Sequence, residues 1–313
     1  MESLARQPAE PATDDELTRV VPLAHGSDPA QTMRALWLGP GDPQTRFEPG
    51  AISRASWLAA GPATLRIELA AGRVVARAWG PGAADALETV PALIGERDDP
   101  TALIARHEIV AQTVRRLPGL RLTSGAALFE ALLVSILGQK ITSLEQRRSF
   151  AAMVRRLGTR APGPLGLMLP PPPEALVRTP YWIFHPLGIE RRRADTIRAA
   201  AAAAASLERI ATLSTAQRIS TLSSLPGIGP WTAAEAIRLS FGDPDAVSVG
   251  DYHLPTLVCR ALAGEESGTD ERMLELLAPY TGQRARVVLL IENAGLRLER
   301  HGPRMAPRSI ASM

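Results

Sequence analysis

The stretch 225-LPGIGPWTAAE-235 constrains the local fold more than any other part of the chain. Two glycines flanking Ile228 make a tight turn, and Pro230 sits where proline is best tolerated, at the first position of a helix. The segment therefore predicts helix, hairpin, helix, the first helix over 214-STAQRISTL-222 and the second over 230-PWTAAEAIRLSF-241. Such a turn aims successive backbone N–H groups outward at the positive end of the second helix, which is an arrangement that receives an anion. A site built from main chain grips a DNA phosphate without reading bases. A compact αα turn with no ligand accounts for the same residues, so the hairpin alone leaves both readings open.

Composition narrows the chemistry. At 313 residues the chain can bury a real core, and 35 basic against 32 acidic residues leave a net charge of only +3. Any nucleic-acid contact must then come from local clusters. Lys140 is the only lysine, so amine chemistry has one side-chain candidate. Cys259 is the only cysteine, which excludes an internal disulfide, a paired-cysteine zinc site and a four-cysteine iron–sulfur cluster. With no apolar segment long enough to span a bilayer, the expectation is a soluble, cytoplasmic, nucleoid-associated protein without membrane contact.

Along the chain, residues 1–28 lack periodicity and read as a flexible tail. Residues 29–98 read as a β-rich domain, 99–302 as a mostly helical region and 303–313 as a C-terminal tail. The fold class expected is therefore α+β: an antiparallel sheet with helices, followed by helices. In 64-TLRIELAAGRVVARAWG-80, Leu65, Ile67 and Leu69 share one face and Ala71-Gly72 supplies the turn of a β-hairpin. Helical spacing follows over 83–95 and 100–117. The segment 125–139 is apolar almost all round and reads as the central helix, 142–158 is amphipathic, and 190–210 opens with three arginines. The stretch 161–176 reads as a proline-rich surface connection.

Downstream of the hairpin, Gly250-Asp251-Tyr252 places Asp251 at the start of a helix. Its carboxylate can simply cap the N–H of Leu254. A carboxylate fixed there also projects from the fold, as is needed to stabilise a developing cation or orient a water.

At this point the chain resembles the helix-hairpin-helix (HhH-GPD) DNA glycosylase superfamily, in particular its 3-methyladenine DNA glycosylase II branch. The resemblance spans about Thr32 to Arg304 and rests on a β-rich N-terminal domain, 133-LVSILGQKIT-142, 187-LGIERRRADTI-197, 225-LPGIGPWTAAE-235 and 248-SVGDYHL-254. It implies an enzyme of base excision repair that flips a damaged nucleotide out of duplex DNA and hydrolyses the bond between base and deoxyribose, with Asp251 as catalytic carboxylate. A base alkylated on a ring nitrogen already carries positive charge and leaves readily, so one carboxylate suffices.

Family members that also nick DNA use a lysine in the helix after the hairpin. Here that neighbourhood carries Trp231, so the resemblance implies a monofunctional enzyme acting on alkylated purines of the 3-methyladenine and 7-methylguanine type. It further implies DNA contacts from Leu225, Gly227, Gly229 and Thr232 and from the Gln139-Lys140 loop that fills the gap left by the flipped base. Lys140 is either a wedge or a phosphate contact. Trp231 and Tyr252 are the expected aromatic walls of the base pocket, with packing as the alternative. Glu235 and Glu292 occupy positions where the family has aromatic residues, and carboxylates there would attract a cationic purine, with a surface-facing position as the alternative for Glu235. No cofactor is expected beyond a structural monovalent cation held by hairpin carbonyls, no metal takes part in cleavage, and the protein is expected to act as a monomer. Two further readings stay open: a glycosylase for oxidised purines, and a non-catalytic module that binds DNA structure.

Overall fold

The computed structural model describes residues 15–296. The expected tails over residues 1–14 and 303–313 lie outside the described residues, as do residues 297–302. The remainder of the expected N-terminal tail is ordered. Leu17–Pro22 forms strand β1, antiparallel to a later strand with Val21 opposite Val74. Its alternation is faint because only Val21 is buried, and order comes from the ladder of its neighbour.

Helix α1, Pro29–Met33, follows with Asp28 as N-cap. Strands β2 (Thr45–Glu48), β3 (Ala51–Leu58), β4 (Gly61–Ala70) and β5 (Arg73–Trp79) complete a five-stranded antiparallel sheet in the order β1-β5-β4-β3-β2. The β4–β5 hairpin turns at Ala71-Gly72 as expected, and Gly72 adopts the φ of +69° that the turn demands. Helix α2, Ala83–Leu93, packs on this sheet through Ala86, Leu87 and Val90.

The helical region then begins with α3, Glu108–Arg116, shorter than the expected 100–117 because residues 103–107 run extended after a single 3₁₀ turn. Helix α4, Leu128–Leu137, is the central helix, with Leu132, Leu133, Ile136 and Leu137 fully enclosed. Helix α5, Ser143–Leu157, starts at a capping box between Thr142 and Glu145. The proline-rich stretch is more structured than expected: β6 (Thr159–Arg160) and β7 (Met168–Leu169) pair, and α6 (Pro173–Arg178) follows. Trp57 Nε1 donates to Pro170 O at 2.7 Å and Thr64 Oγ1 to Pro162 O at 2.6 Å, so the sheet supplies the order that the prolines cannot.

The chain continues through α7 (Tyr181–Phe184), α8 (Arg191–Leu207), α9 (Thr215–Ser223), α10 (Pro230–Phe241), α11 (Leu254–Ala263), α12 (Asp270–Leu277) and α13 (Arg284–Glu292). One apolar core joins the sheet to α4, α5, α8 and α10, so the expected boundary near residue 98 separates architectures and not cores. A second core joins α3, α11, α12 and α13.

Sheet and helices are riveted at Glu130 of α4, whose side chain is 4% exposed. It accepts from Arg54 Nη2 at 3.0 Å, Gln44 Nε2 at 2.7 Å, Ser56 Oγ at 3.3 Å and the Trp57 N–H at 2.9 Å. A buried carboxylate is tolerable only when so completely paired. Removing it leaves Arg54 buried without its partner, so Glu130→Ala is expected to cost about 3–5 kcal/mol, read as a lowered midpoint in urea denaturation.

Candidate active site

Both the hairpin and Asp251 meet at the start of α10. Helix α9 is opened by a Ser214–Gln217 capping box, and Ile228, 4% exposed, anchors the hairpin in the main core. Gly227 has φ of +82°, and a Cβ there would lie 2.0 Å from Thr196 Oγ1 on α8. Gly229 differs: its φ is negative and no protein atom lies within 4 Å of a Cβ built on it. The N-terminus of α10 has no side-chain cap, and its first residue is proline. With no capping side chain and no neighbour against Gly229, this helix start is uncovered, as an approaching phosphate requires.

The link between α4 and α5 is tied to this hairpin. Gln139 Nε2 donates to Gly227 O at 3.0 Å and to Thr232 Oγ1 at 2.8 Å. Two expectations change in consequence. Thr232, 1% exposed, turns its hydroxyl to Gln139 and presents almost no surface to a ligand. Gln139 spends its amide nitrogen on the hairpin and acts first as a strut between the two loops. Lys140 beside it is exposed at φ of +52°, the left-handed region that non-glycine residues rarely adopt, and among the described residues it has no ion-pair partner. Strain of that kind marks a loop held in shape for use. The chain reaches the loop through Arg193, which is buried and donates to Leu137 O, an end carbonyl of α4, at 3.3 Å. Of the arginine cluster on α8, this one is therefore structural.

Leu225 lies half-buried against the main core. Two hairpin carbonyls already accept protein donors: Leu225 O from the Ile228 N–H at 3.1 Å, and Gly227 O from Gln139.

Asp251 is held at three points. Its Oδ1 accepts from the N–H groups of His253 at 2.8 Å and Leu254 at 2.9 Å, and its Oδ2 accepts from Trp231 Nε1 at 3.0 Å. The expected capping of Leu254 is present, and the indole adds a bond that no cap requires. Trp231 is half-buried beside the end of α4, where a Cβ on Gly138 would come within 3.3 Å of its ring. Tyr252 stands away from this contact, 89% exposed and edge-on to His253 at 4.8 Å between centroids. Its ring is open to a ligand from outside and forms no wall with Trp231 within the protein.

Of the two unexpected carboxylates, Glu235 is committed within the fold. Its Oε1 accepts from Ser248 Oγ at 2.5 Å and its Oε2 from Arg238 Nη2 at 2.8 Å. Glu235 holds the Arg238 guanidinium above its usual pKa, burial opposes this, and Glu292 adds to the upward push. Glu292, the last residue of α13, makes no hydrogen bond or ion pair among the described residues. Glu292 is exposed at the end of the helix. Desolvation pushes its pKa up, Arg238 pulls it down, and Glu235 and Asp251 push it further up. Its charge thus couples to Asp251, Glu235 and Arg238 together.

Sequence reasoning missed the supports of this arrangement. Asp270 at the start of α12 accepts the Gly250 N–H on both carboxylate oxygens, at 3.1 and 3.0 Å, and so fixes the peptide before Asp251. Ser248 and Arg238 pin Glu235. The only sequence signal was Thr269-Asp270 as a helix start, which does not reveal a distant partner. A recess of about 570 Å³ lined by Trp37, Arg46, Phe47 and Arg155 lies at the other end of α5, about 20 Å from the Lys140 link by helical rise, and is separate from this site.

Neither a protein-family model nor a curated protein sequence matches the chain. Solved structures do match in fold. A 3-methyladenine DNA glycosylase from Archaeoglobus fulgidus aligns with a TM-score of 0.73 at 19% identity, over 87% of this chain and 96% of that one. An 8-oxoguanine glycosylase/lyase from Clostridium acetobutylicum, bound to double-stranded DNA, aligns at 0.70 with 13% identity over 89% and 96%. The Schizosaccharomyces pombe 3-methyladenine DNA glycosylase bound to abasic DNA aligns at 0.52 with 18% identity over 63% and 96%. This chain therefore has the fold of DNA glycosylases named for two chemical classes of base, methylated and oxidised. Among the described residues, no helix is long and apolar enough to cross a membrane.

The two hairpin glycines should separate experimentally. Gly227→Ala is expected to lower the melting temperature, because both its φ and Thr196 oppose a Cβ. Gly229→Ala is expected to leave melting unchanged and to weaken binding to duplex DNA, measured by fluorescence anisotropy, because its new methyl meets only the incoming ligand.

Proposed function

We propose that this protein is a monofunctional DNA glycosylase that hydrolyses the N-glycosidic bond of alkylated purines, of the 3-methyladenine and 7-methylguanine type, after flipping the nucleotide from duplex DNA. The observation that carries the reading is the three-point fixation of Asp251 beside an uncapped hairpin. An N-cap needs the two backbone donors, whereas the Trp231 bond orients the second oxygen as well. The uncapped N–H groups of the α10 terminus suit a DNA phosphate, and the exposed Lys140 loop suits the space a flipped base vacates. The glycosylase fold of the neighbouring structures supports the same reading.

In the reaction the bond between C1′ and the base nitrogen breaks with both electrons going to the base, which discharges the positive charge of an alkylated purine. The sugar becomes cationic at C1′, and the Asp251 carboxylate stabilises it electrostatically. Water then adds to C1′ and loses a proton, leaving an abasic site. An amine nucleophile would let the enzyme cut the strand as well. Trp231 stands in the helix where such a lysine is expected, and Lys140 belongs to the α4–α5 link.

An oxidised-purine glycosylase is the second reading, favoured by the similarity to the 8-oxoguanine enzyme. A structure-binding module would need the hairpin but not the Trp231–Asp251 bond. Asparagine caps a helix as well as aspartate, so Asp251→Asn should melt close to wild type while losing base release by on the order of 10²-fold or more. The check is chromatography of free bases from methylated duplex DNA, with strand breaks scored before and after alkali. The reading expects 3-methyladenine and 7-methylguanine from the wild type, and breaks only after alkali.

A further inference from the structure

We propose that the recess at the far end of α5 is a second DNA-binding site, which takes an unpaired nucleotide of a single strand by stacking its base on Trp37 and Phe47 and pairing its phosphates with Arg46 and Arg155. The site is distinct from the one around Asp251 and does not rest on the glycosylase reading. At about 570 Å³ the recess lies in the size range of ligand pockets.

Its lining combines the two features with which proteins grip single strands, an aromatic platform and unpaired cations. Trp37 and Phe47 are half-buried, with ring centroids 5.0 Å apart and planes inclined at 35°. The Arg34 guanidinium lies over both rings, 5.2 Å from the Trp37 centroid and 5.1 Å from that of Phe47, and steadies the pair without itself lining the recess. Arg46 and Arg155 are exposed at the recess and have no ion-pair partner among the described residues. Arg155 is aimed by one bond, from Nη2 to Gly41 O at 2.8 Å, which leaves its other N–H groups for a ligand.

Asp42 is the one carboxylate in the lining, and it is spent on the surrounding loop. Its Oδ2 accepts from the Leu38 N–H at 3.1 Å, and its Oδ1 from the N–H groups of Gln44 at 2.9 Å and Thr45 at 3.2 Å. The recess also borders β2, an edge strand, where a peptide could add as a further strand. The loop before β2 opposes that mode. Asp42 has taken three of its N–H groups, Pro40 and Pro43 have none, and Pro43 O already accepts from the Met168 N–H at 2.9 Å. Recognition is left to side chains, as stacking and phosphate pairing require.

The course of α5 favours DNA as well. Its first turn follows the exposed Lys140 link, and its exposed face carries Arg148 and Arg155 two turns, about 10 Å, apart. Arg147 leans on the recess loop, with Nη1 3.0 Å from a Cβ built on Gly39. Neither Arg147 nor Arg148 has an ion-pair partner among the described residues. A line of uncompensated positive charge therefore leads from the Lys140 link to the recess.

The experiment measures binding of a fluorescein-labelled oligothymidylate of about 12 nucleotides by anisotropy. Wild type, Trp37→Ala, Arg46→Ala and Gly229→Ala are compared, with thermal melting to confirm folding. Trp37→Ala should weaken binding by on the order of tenfold or more, the loss of one stacked base. Arg46→Ala alters an exposed side chain and keeps the test open should Trp37→Ala fail to fold. It should flatten the slope of log affinity against log salt by about 0.7, the loss of one phosphate contact on a single strand. Gly229→Ala should leave oligothymidylate binding unchanged, whereas the two recess variants should leave binding of a blunt duplex unchanged. Failure of the wild type to bind oligothymidylate, or binding that Gly229→Ala weakens and Arg46→Ala does not, would overturn the proposal. So would a glutamate–tyrosine copolymer that displaces the oligonucleotide and is itself lost with the recess variants, since the recess would then be a site for acidic peptides.

Discussion

The structure turns on the immobilisation of one carboxylate at the mouth of the helical region. Asp251 can serve a transient positive charge only if it neither swings away nor folds back into a pure cap, and three donors from two directions prevent both. Two belong to the first turn of α11 and one to the indole of α10, so the carboxylate records the relative position of those helices. The peptide ahead of it is clamped by Asp270. A group preorganised in this way does not reorganise at the moment of reaction, which is the main source of electrostatic catalysis.

That precision is passed inward through buried polar contacts. Gln139 ties the α4–α5 link to the hairpin, Arg193 closes the end of α4, and Glu130 fastens the other part of α4 to the sheet. Helix α13 is set by Arg286, whose guanidinium pairs with Asp98 in the interior, and by Arg284, which binds Asp245. For Asp245, burial raises the pKa, but hydrogen bonds from the Arg284 side chain, the Arg284 N–H and the Gly282 N–H outweigh it, and the carboxyl lies below its usual range. Its ionised form is therefore bound more tightly in the folded protein. The associated stability is present above the ordinary carboxylate pKa and is lost as pH falls through the depressed one. Such pairs contribute little net free energy against apolar substitutes, but they fix registers that apolar packing would leave free to slide.

Where the sequence carries a strong local signal, fold and site were legible in it. The hairpin, the proline at the start of α10, the alternation of β4 and the all-apolar α4 each have one physical explanation, and the structure agrees with them. Strand β1 was not legible, because an edge strand takes its order from its neighbour and only Val21 shows burial. The paired strands within 159–169 were hidden by prolines that pair with the sheet through their carbonyls. In the site, Asp251 could be read from its place after a glycine at a helix start. The inward turn of Thr232, the strut role of Gln139 and the commitment of Glu235 could not, since each depends on a partner far away in the chain. Glu292 was legible as a carboxylate in an unusual position, but that it makes no hydrogen bond or ion pair among the described residues became visible only in three dimensions.

The central claim, that Asp251 faces the sugar of a flipped nucleotide while the hairpin holds the backbone, is tested most directly by a crystal structure with duplex DNA containing a cationic pyrrolidine in place of one deoxyribose. The account predicts the pyrrolidinium nitrogen within hydrogen-bond distance of Asp251, a phosphate against the N–H groups that follow Gly229, and the Lys140 loop in the vacated stack. A duplex bound with the pyrrolidine still inside the helix, or flipped to a place remote from Asp251, would contradict it.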